Sequence, residues 1–185
     1  MSQENVEVVR QPVFPTPRRY RGLQERLLLR FPRLFVLANR AVFLLPPKSG
    51  LRRRMLRRNV ELGIAAVNRG DYDVAFASYT EQAEYVPPSA WVPVGVGRTW
   101  GRAERISLES EWRAEWGDFA YAPEELYDLG DRVLLTGRMK GSGTSSGAGF
   151  DIEWADLFHI SSGRIAHDQV FFDRAEALEA AGLSE

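Results

Sequence analysis

The side chains best equipped for chemistry gather in one stretch, GFDIEWADLFHISSGRIAHD, residues 149–168. It reads as two β-strands joined by a tight turn, because apolar and polar residues alternate on either side of Ser162-Gly163. On the first strand Ile152, Trp154, Asp156, Phe158 and Ile160 share one face. That face is apolar except for Asp156. A two-residue loop at Ser162-Gly163 pairs Ile160 with Ile165, Phe158 with His167, Asp156 with Gln169 and Trp154 with Phe171. Asp156, His167 and Gln169 then stand side by side on the greasy face. A slip of one residue would put four large apolar side chains in water, so this register is the expected one.

A carboxyl among Trp and Phe titrates high, because desolvation disfavours its charged form. Such an acid can protonate an oxygen or stabilise an oxyanion, with His167 as a partner. The same pattern also suits a structural acid bonded to Gln169 or His167, or one at an open rim. Trp154, Phe158, Gln169, Phe171, Tyr85, Trp112 and Trp116 could line a pocket around it, or form an ordinary aromatic core. Arg138 and Lys140 share a strand face and suit either an anionic ligand or solvent. The loop GSGTSSGAG, residues 141–149, has the composition of a phosphate loop but neither its lysine nor its following helix, so it reads as a hairpin turn.

Composition narrows the chemistry. No cysteine is present, which removes disulfides, thiolate metal sites and thiol nucleophiles. His159 and His167 are the only histidines, and no zinc-ligand spacing surrounds them. No metal or cofactor is expected. No apolar run is long enough to span a bilayer and no signal-peptide core opens the chain, so a soluble cytoplasmic protein is expected. Charge is polarised: residues 1–58 hold 14 Lys+Arg against 3 Asp+Glu, and residues 59–185 hold 10 against 22. Arginine outnumbers lysine 22 to 2. The run RRRMLRR could bind nucleic acid or anionic lipid; the favoured reading is an exposed helix face paired with the acidic remainder, with no nucleic-acid partner.

The elements that must hold the hairpin follow from breakers and periodicity. Residues 1–19 carry three prolines and no helical period, as an extended or poorly ordered arm would. Helices are expected near 21–30 and 32–45, divided at Pro32 and stopped by Pro46-Pro47. Arg26, Arg30, Arg33 and Arg40 share a stripe there, surrounded by more large apolar residues than a free helix tolerates; the domain, a second subunit or a membrane surface must cover them. A longer helix from Leu51 ends at Asn68-Arg69-Gly70, and Asp71 caps a short one. A short strand, AEYVPP, precedes a Gly- and Trp-rich connection. The helix RAERISLESEWRAEW follows, with Ile106, Leu108, Trp112 and Trp116 turned inward. Strands over FAYAPEELYDL and RVLLTGRMKGSG, joined at Gly130-Asp131, lead into the hairpin, and AEALEAAGL closes the chain as a helix. Helices followed by antiparallel strands make an α+β protein: residues 1–50 a basic N-terminal arm with amphipathic helices, residues 51–185 one domain with a curved sheet over helices.

NRGDYDVAFASY, AEYVPP, GRAERISLESEWRAEW, LGDRVLLTGRMKGSG and SSGRI with FFDRAEALEAAGL, in that order, make residues 51–183 resemble the SnoaL-like group of the nuclear transport factor 2-like superfamily. The resemblance implies a conical α+β barrel of mixed or antiparallel sheet with a deep pocket for a small apolar organic molecule, and a homodimer. It fixes no reaction, since the superfamily holds ketosteroid isomerases, polyketide cyclases, epoxide hydrolases and non-catalytic proteins. WADLFHI is similar to the isomerase strand that carries a protonated oxyanion-hole acid, and Asp156 falls on that acid. Gly63 occupies the position of the oxyanion tyrosine and Pro87 that of the proton-abstracting base, which argues against isomerisation by the same mechanism. Two readings stand: a pocket protein acting on or binding a small molecule through Asp156, and a non-catalytic binding or dimerisation module whose basic N-terminal segment contacts an anionic membrane or a protein.

Overall fold

A computed structural model describes residues 7–10, 20–116, 118–145 and 147–183. Among these residues seven strands form one mixed sheet: β1 (Glu7–Arg10), β2 (Tyr79–Val86), β3 (Thr99–Trp100), β4 (Ala120–Asp128), β5 (Arg132–Ser142), β6 (Gly149–Ser161) and β7 (Arg164–Phe171). Their order is β1-β4-β5-β6-β7-β2-β3; the sheet curls but does not close. All neighbours are antiparallel except β2 and β7. Among the described residues six α-helices accompany it: α1 (Leu23–Arg30), α2 (Pro32–Phe43), α3 (Gly50–Asn68), α4 (Tyr72–Ala75), α5 (Arg102–Glu115) and α6 (Arg174–Ala181). This is the expected α+β class. The arm expected over residues 1–19 lies outside the described residues apart from β1, which pairs with β4.

Local chemistry sets the boundaries. Pro32 opens α2 at a position that needs no N–H donor. Gly70 and Gly182 end α3 and α6 with φ of 75° and 77°, backbone that a Cβ disfavours. Asp173 caps α6 by accepting from the Glu176 N–H at 2.9 Å. Ser162 and Gly163 both have positive φ, 51° and 79°, as a two-residue hairpin turn requires.

The sheet is buried on both sides. Its inner face packs Leu126, Val133, Leu135, Met139, Trp154 and Val170 with Leu56 of α3. Its outer face packs Leu134, Ala155, Leu157 and Phe171 under Ala177, Leu178 and Ala181 of α6. This second layer overturns the register expected for the hairpin. Ile160 does pair with Ile165, but a bulge follows and His159 then pairs with His167. Beyond it Phe158 faces Asp168, Leu157 faces Gln169, Asp156 faces Val170 and Ala155 faces Phe171. One extra residue flips every later side chain. His167, Gln169 and Phe171 are therefore on the outer face, and Asp168 and Val170 on the inner one. This register leaves no large apolar side chain in water, because α6 keeps the outer face dry.

Helix α5 differs from expectation in the same sense. Its buried residues are Arg105 and Glu109, whereas Ile106, Leu108, Trp112 and Trp116 are half-buried. The two tryptophans join Trp91, Phe119 and Phe150 in an aromatic cluster, with Trp116 and Phe150 centroids 4.5 Å apart. An ion pair turned inward displaced the apolar stripe.

Candidate functional site

The curl of the sheet encloses a cavity of about 150 Å³ between its inner face and helices α1 to α4. Trp154, Asp156, Phe158 and Ile160 of β6 line one wall. Leu56, Val60, Gly63, Ile64 and Val67 of α3 line another. Leu28 of α1 and Phe35, Asn39 and Phe43 of α2 complete it, so the N-terminal helices roof the cavity. Among the described residues that line it, Asp156 is the only carboxyl and Arg105 the only cation.

Asp156 is buried, and its Oδ1 accepts from the Trp154 indole N–H at 3.1 Å. Burial holds its carboxyl well above the usual carboxylate range, and the nearby charge of Asp168 pushes the same way; Arg105 opposes both. Asp168 is fully buried and is also raised, first by burial, against the pull of Arg105 and a 2.7 Å hydrogen bond from the Tyr79 hydroxyl. Arg105 of α5 is the cation whose charge acts on both aspartates. Its guanidinium bonds Glu109 at 2.7 Å, stands 3.8 Å from the Asp168 carboxylate, and lies 4.4 Å and 5.0 Å from the ring centroids of Tyr85 and Phe76. The Tyr121 hydroxyl donates to Glu109 at 3.2 Å. One cation thus serves three carboxyls in a dry interior, and a proton on Asp156 relieves the imbalance. Arg105 Nε and Asp168 Oδ1 are buried with no hydrogen-bond partner among the described residues, so the network has unused capacity.

A second polar pair lines the cavity. Asn59 Nδ2 donates to Asn39 Oδ1 at 2.9 Å, and Asn59 Oδ1 is buried with no partner among the described residues. It offers a hydrogen-bond acceptor to a ligand donor.

Of the residues expected at a site, Asp156, Trp154 and Phe158 line the cavity. His167 does not: its ring lies 5.0 Å from that of His159, and its Nε2 is 3.7 Å from Glu84. Gln169 and Phe171 share its outer face, Tyr85 lies beneath Arg105, and Trp112 and Trp116 belong to the aromatic cluster. Arg138 and Lys140 both pair with exposed Asp151, at 2.5 Å and 3.0 Å. Reasoning from the sequence missed Asp168, Arg105, Glu109, Tyr79 and Tyr121. The four-residue spacing of Arg105 and Glu109 signals a helix ion pair, but nothing in it says that the pair points inward. Gly63 lines the cavity, and a Cβ built there meets nothing within 4 Å.

The sequence and the fold match one known group of proteins. A model of the SnoaL-like domain matches residues 60–168, and the chain belongs to that family. Solved structures agree on the fold. An NTF2-like protein of unknown function from Burkholderia pseudomallei is 20% identical, with a TM-score of 0.57 over 66% of this chain and 94% of its own. TerC, crystallised with polyporic acid, is 18% identical, with a TM-score of 0.56 over 68% and 97%. A putative SnoaL-like polyketide cyclase from Jannaschia sp. CCS1 is 18% identical, with a TM-score of 0.53 over 70% and 94%. No curated protein matches the sequence.

Proposed function

We propose that this protein takes a small, mostly apolar organic molecule into the cavity beneath α1 and α2, and that Asp156, held protonated, donates to an oxygen of that molecule. The observation that carries this reading is one carboxyl, titrating high, on the wall of an otherwise apolar cavity. An engineered apolar cavity of similar volume takes up benzene, so the ligand is of single-ring size or presents one ring to the site. A neutral carboxyl is a hydrogen-bond donor, which suits a carbonyl ground state or a developing oxyanion. TerC was crystallised with polyporic acid, which supports an oxygenated organic ligand.

A second reading is binding without turnover. It is favoured by the lining itself: among the described residues that line the cavity, no second carboxyl stands ready to take up a proton. Acid catalysis requires only a donor; proton transfer between two carbon atoms requires a base as well.

Acetophenone and ethylbenzene test the donor. Each is one ring with a two-carbon substituent, and only acetophenone carries a carbonyl. If Asp156 donates, the wild type prefers acetophenone by about fivefold to tenfold, the worth of one net hydrogen bond. The preference disappears in Asp156→Leu. Equal affinity of the wild type for both, or an Asp156 carbon-13 titration at the position of a free carboxyl, would refute the reading.

A further inference from the structure

The two helices that roof the cavity are apolar on both sides. Leu28, Phe35 and Phe43 turn inward to the lining, while Leu23, Leu27 and Phe31 rise outward at four-residue steps along α1. Leu34 and Leu37 of α2, and Leu44 just past its end, are also exposed, at 64%, 59% and 81%. Six large apolar side chains exposed within residues 23–44 are far more than scattered exposure accounts for. Beside this ridge run exposed arginines: Arg26 and Arg30 on α1, Arg33 and Arg40 on α2. Exposed Arg54, Arg57 and Arg58 of α3 lie further along the chain, near exposed Leu51. Residues 20–58 contain a single acid, Glu25, and it is buried in bonds to the Gly22 N–H and to Arg69.

We propose that this outer face of α1 and α2 docks on an anionic phospholipid surface. The leucines and Phe31 would enter the boundary between headgroups and acyl chains, and the arginines would meet lipid phosphates. No helix among the described residues is long and apolar enough to cross a membrane, so the contact lies in the plane of the interface. Charge complementarity selects this occupant. A two-fold contact with a second copy would set the arginine rows against each other with no acid between them. A nucleic acid would satisfy the arginines but leave the leucine ridge without apolar partners. Docking would also bring the cavity roof to the phase in which apolar molecules concentrate, although the inference stands independently of Asp156.

The test uses the full chain. It has no cysteine, so Leu37→Cys takes one environment-sensitive fluorophore. Glu176→Cys, on α6 across the sheet, is the control. Vesicles of phosphatidylcholine mixed with phosphatidylglycerol should blue-shift the label at 37 and leave that at 176 unchanged; phosphatidylcholine alone should shift neither. Cosedimentation should weaken at least tenfold on adding salt, in Leu34→Glu/Leu37→Glu, and in Arg26→Glu/Arg30→Glu/Arg33→Glu. The label reads docking in an otherwise unaltered chain, so misfolding of the multiple variants would not remove the test. No shift at position 37 with anionic vesicles overturns the proposal. So does binding that the leucine variant leaves intact. If the leucine variant instead splits a dimer in sedimentation while vesicles take neither form, the face is a subunit interface and the proposal fails.

Discussion

Asp156 on β6 and Asp168 on β7 are diagonal neighbours on the inner face of the sheet, each two residues from the other's cross-strand partner. Burial holds both carboxyls high; the Asp168 charge adds to the rise of Asp156, and Arg105 pulls both down. A raised aspartate binds its proton more tightly in the folded state than in the unfolded chain. Its contribution to stability is therefore fully present below the unfolded value, near pH 4, and is lost as pH rises toward the folded value. Asp156→Asn keeps an acceptor for the Trp154 N–H and removes the ionisation. It should raise the melting temperature at neutral pH, and the gain should shrink as pH falls toward about 4. A constant gain or loss across that range would mean that Asp156 titrates normally.

Asp168→Asn removes one of the charges that raise Asp156 while leaving Tyr79 an acceptor. The Asp156 carboxyl should then titrate lower, as read by carbon-13 chemical shift. His167→Asn, which alters only the outer face, should leave that titration and the acetophenone preference unchanged. The bulged register requires this pair of results; the bulge-free register requires the reverse.

Gly63 sits inside α3, lines the cavity and has open space at its Cβ position. Gly63→Ala should stabilise the protein by about 0.5–1 kcal/mol in urea denaturation, through helix propensity. Gly63→Phe should fill the cavity and abolish acetophenone binding while the fold persists by circular dichroism.

Arg52 makes a bidentate pair with Asp128, with Nε and NH2 each 2.7 Å from a carboxylate oxygen, and donates to the Phe43 and Leu45 carbonyls at 3.0 Å and 2.7 Å. It also donates to the Gly130 carbonyl, tying the end of α2 and the start of α3 to the β4–β5 turn. Arg52→Met leaves Asp128 buried without its cation and should cost about 3–5 kcal/mol. Adding Asp128→Leu should restore part of that loss, a coupling measurable by a double-mutant cycle.

Much of this molecule is legible in the linear chain, for local reasons. Pro32, Pro46-Pro47, Gly70 and Gly182 mark helix ends because they restrict or permit particular backbone angles regardless of context. Gly130-Asp131 marks the β4–β5 turn, where Leu129 N–H bonds the Arg132 carbonyl at 2.9 Å. Alternation placed Asp156 on the inner face because β6 runs without a bulge from Gly149 to His159. The remainder of the site was hidden by two non-local facts. The bulge after the hairpin turn exchanged His167 for Asp168. The inward ion pair of α5 put Arg105 and Glu109 where an apolar stripe was expected.

The sequence by itself determined the order of helices and strands, the α+β class, and an acid facing inward from β6, because breakers and side-chain period act over a few residues. Only the tertiary structure decided which groups surround that acid. Whether a face is dry depends on what covers it: α6 buries the side of the sheet that holds Phe171, which frees the register to put Asp168 inside. Likewise α1 and α2 have apolar residues on both sides, and only packing showed which of them roof the cavity and which remain exposed.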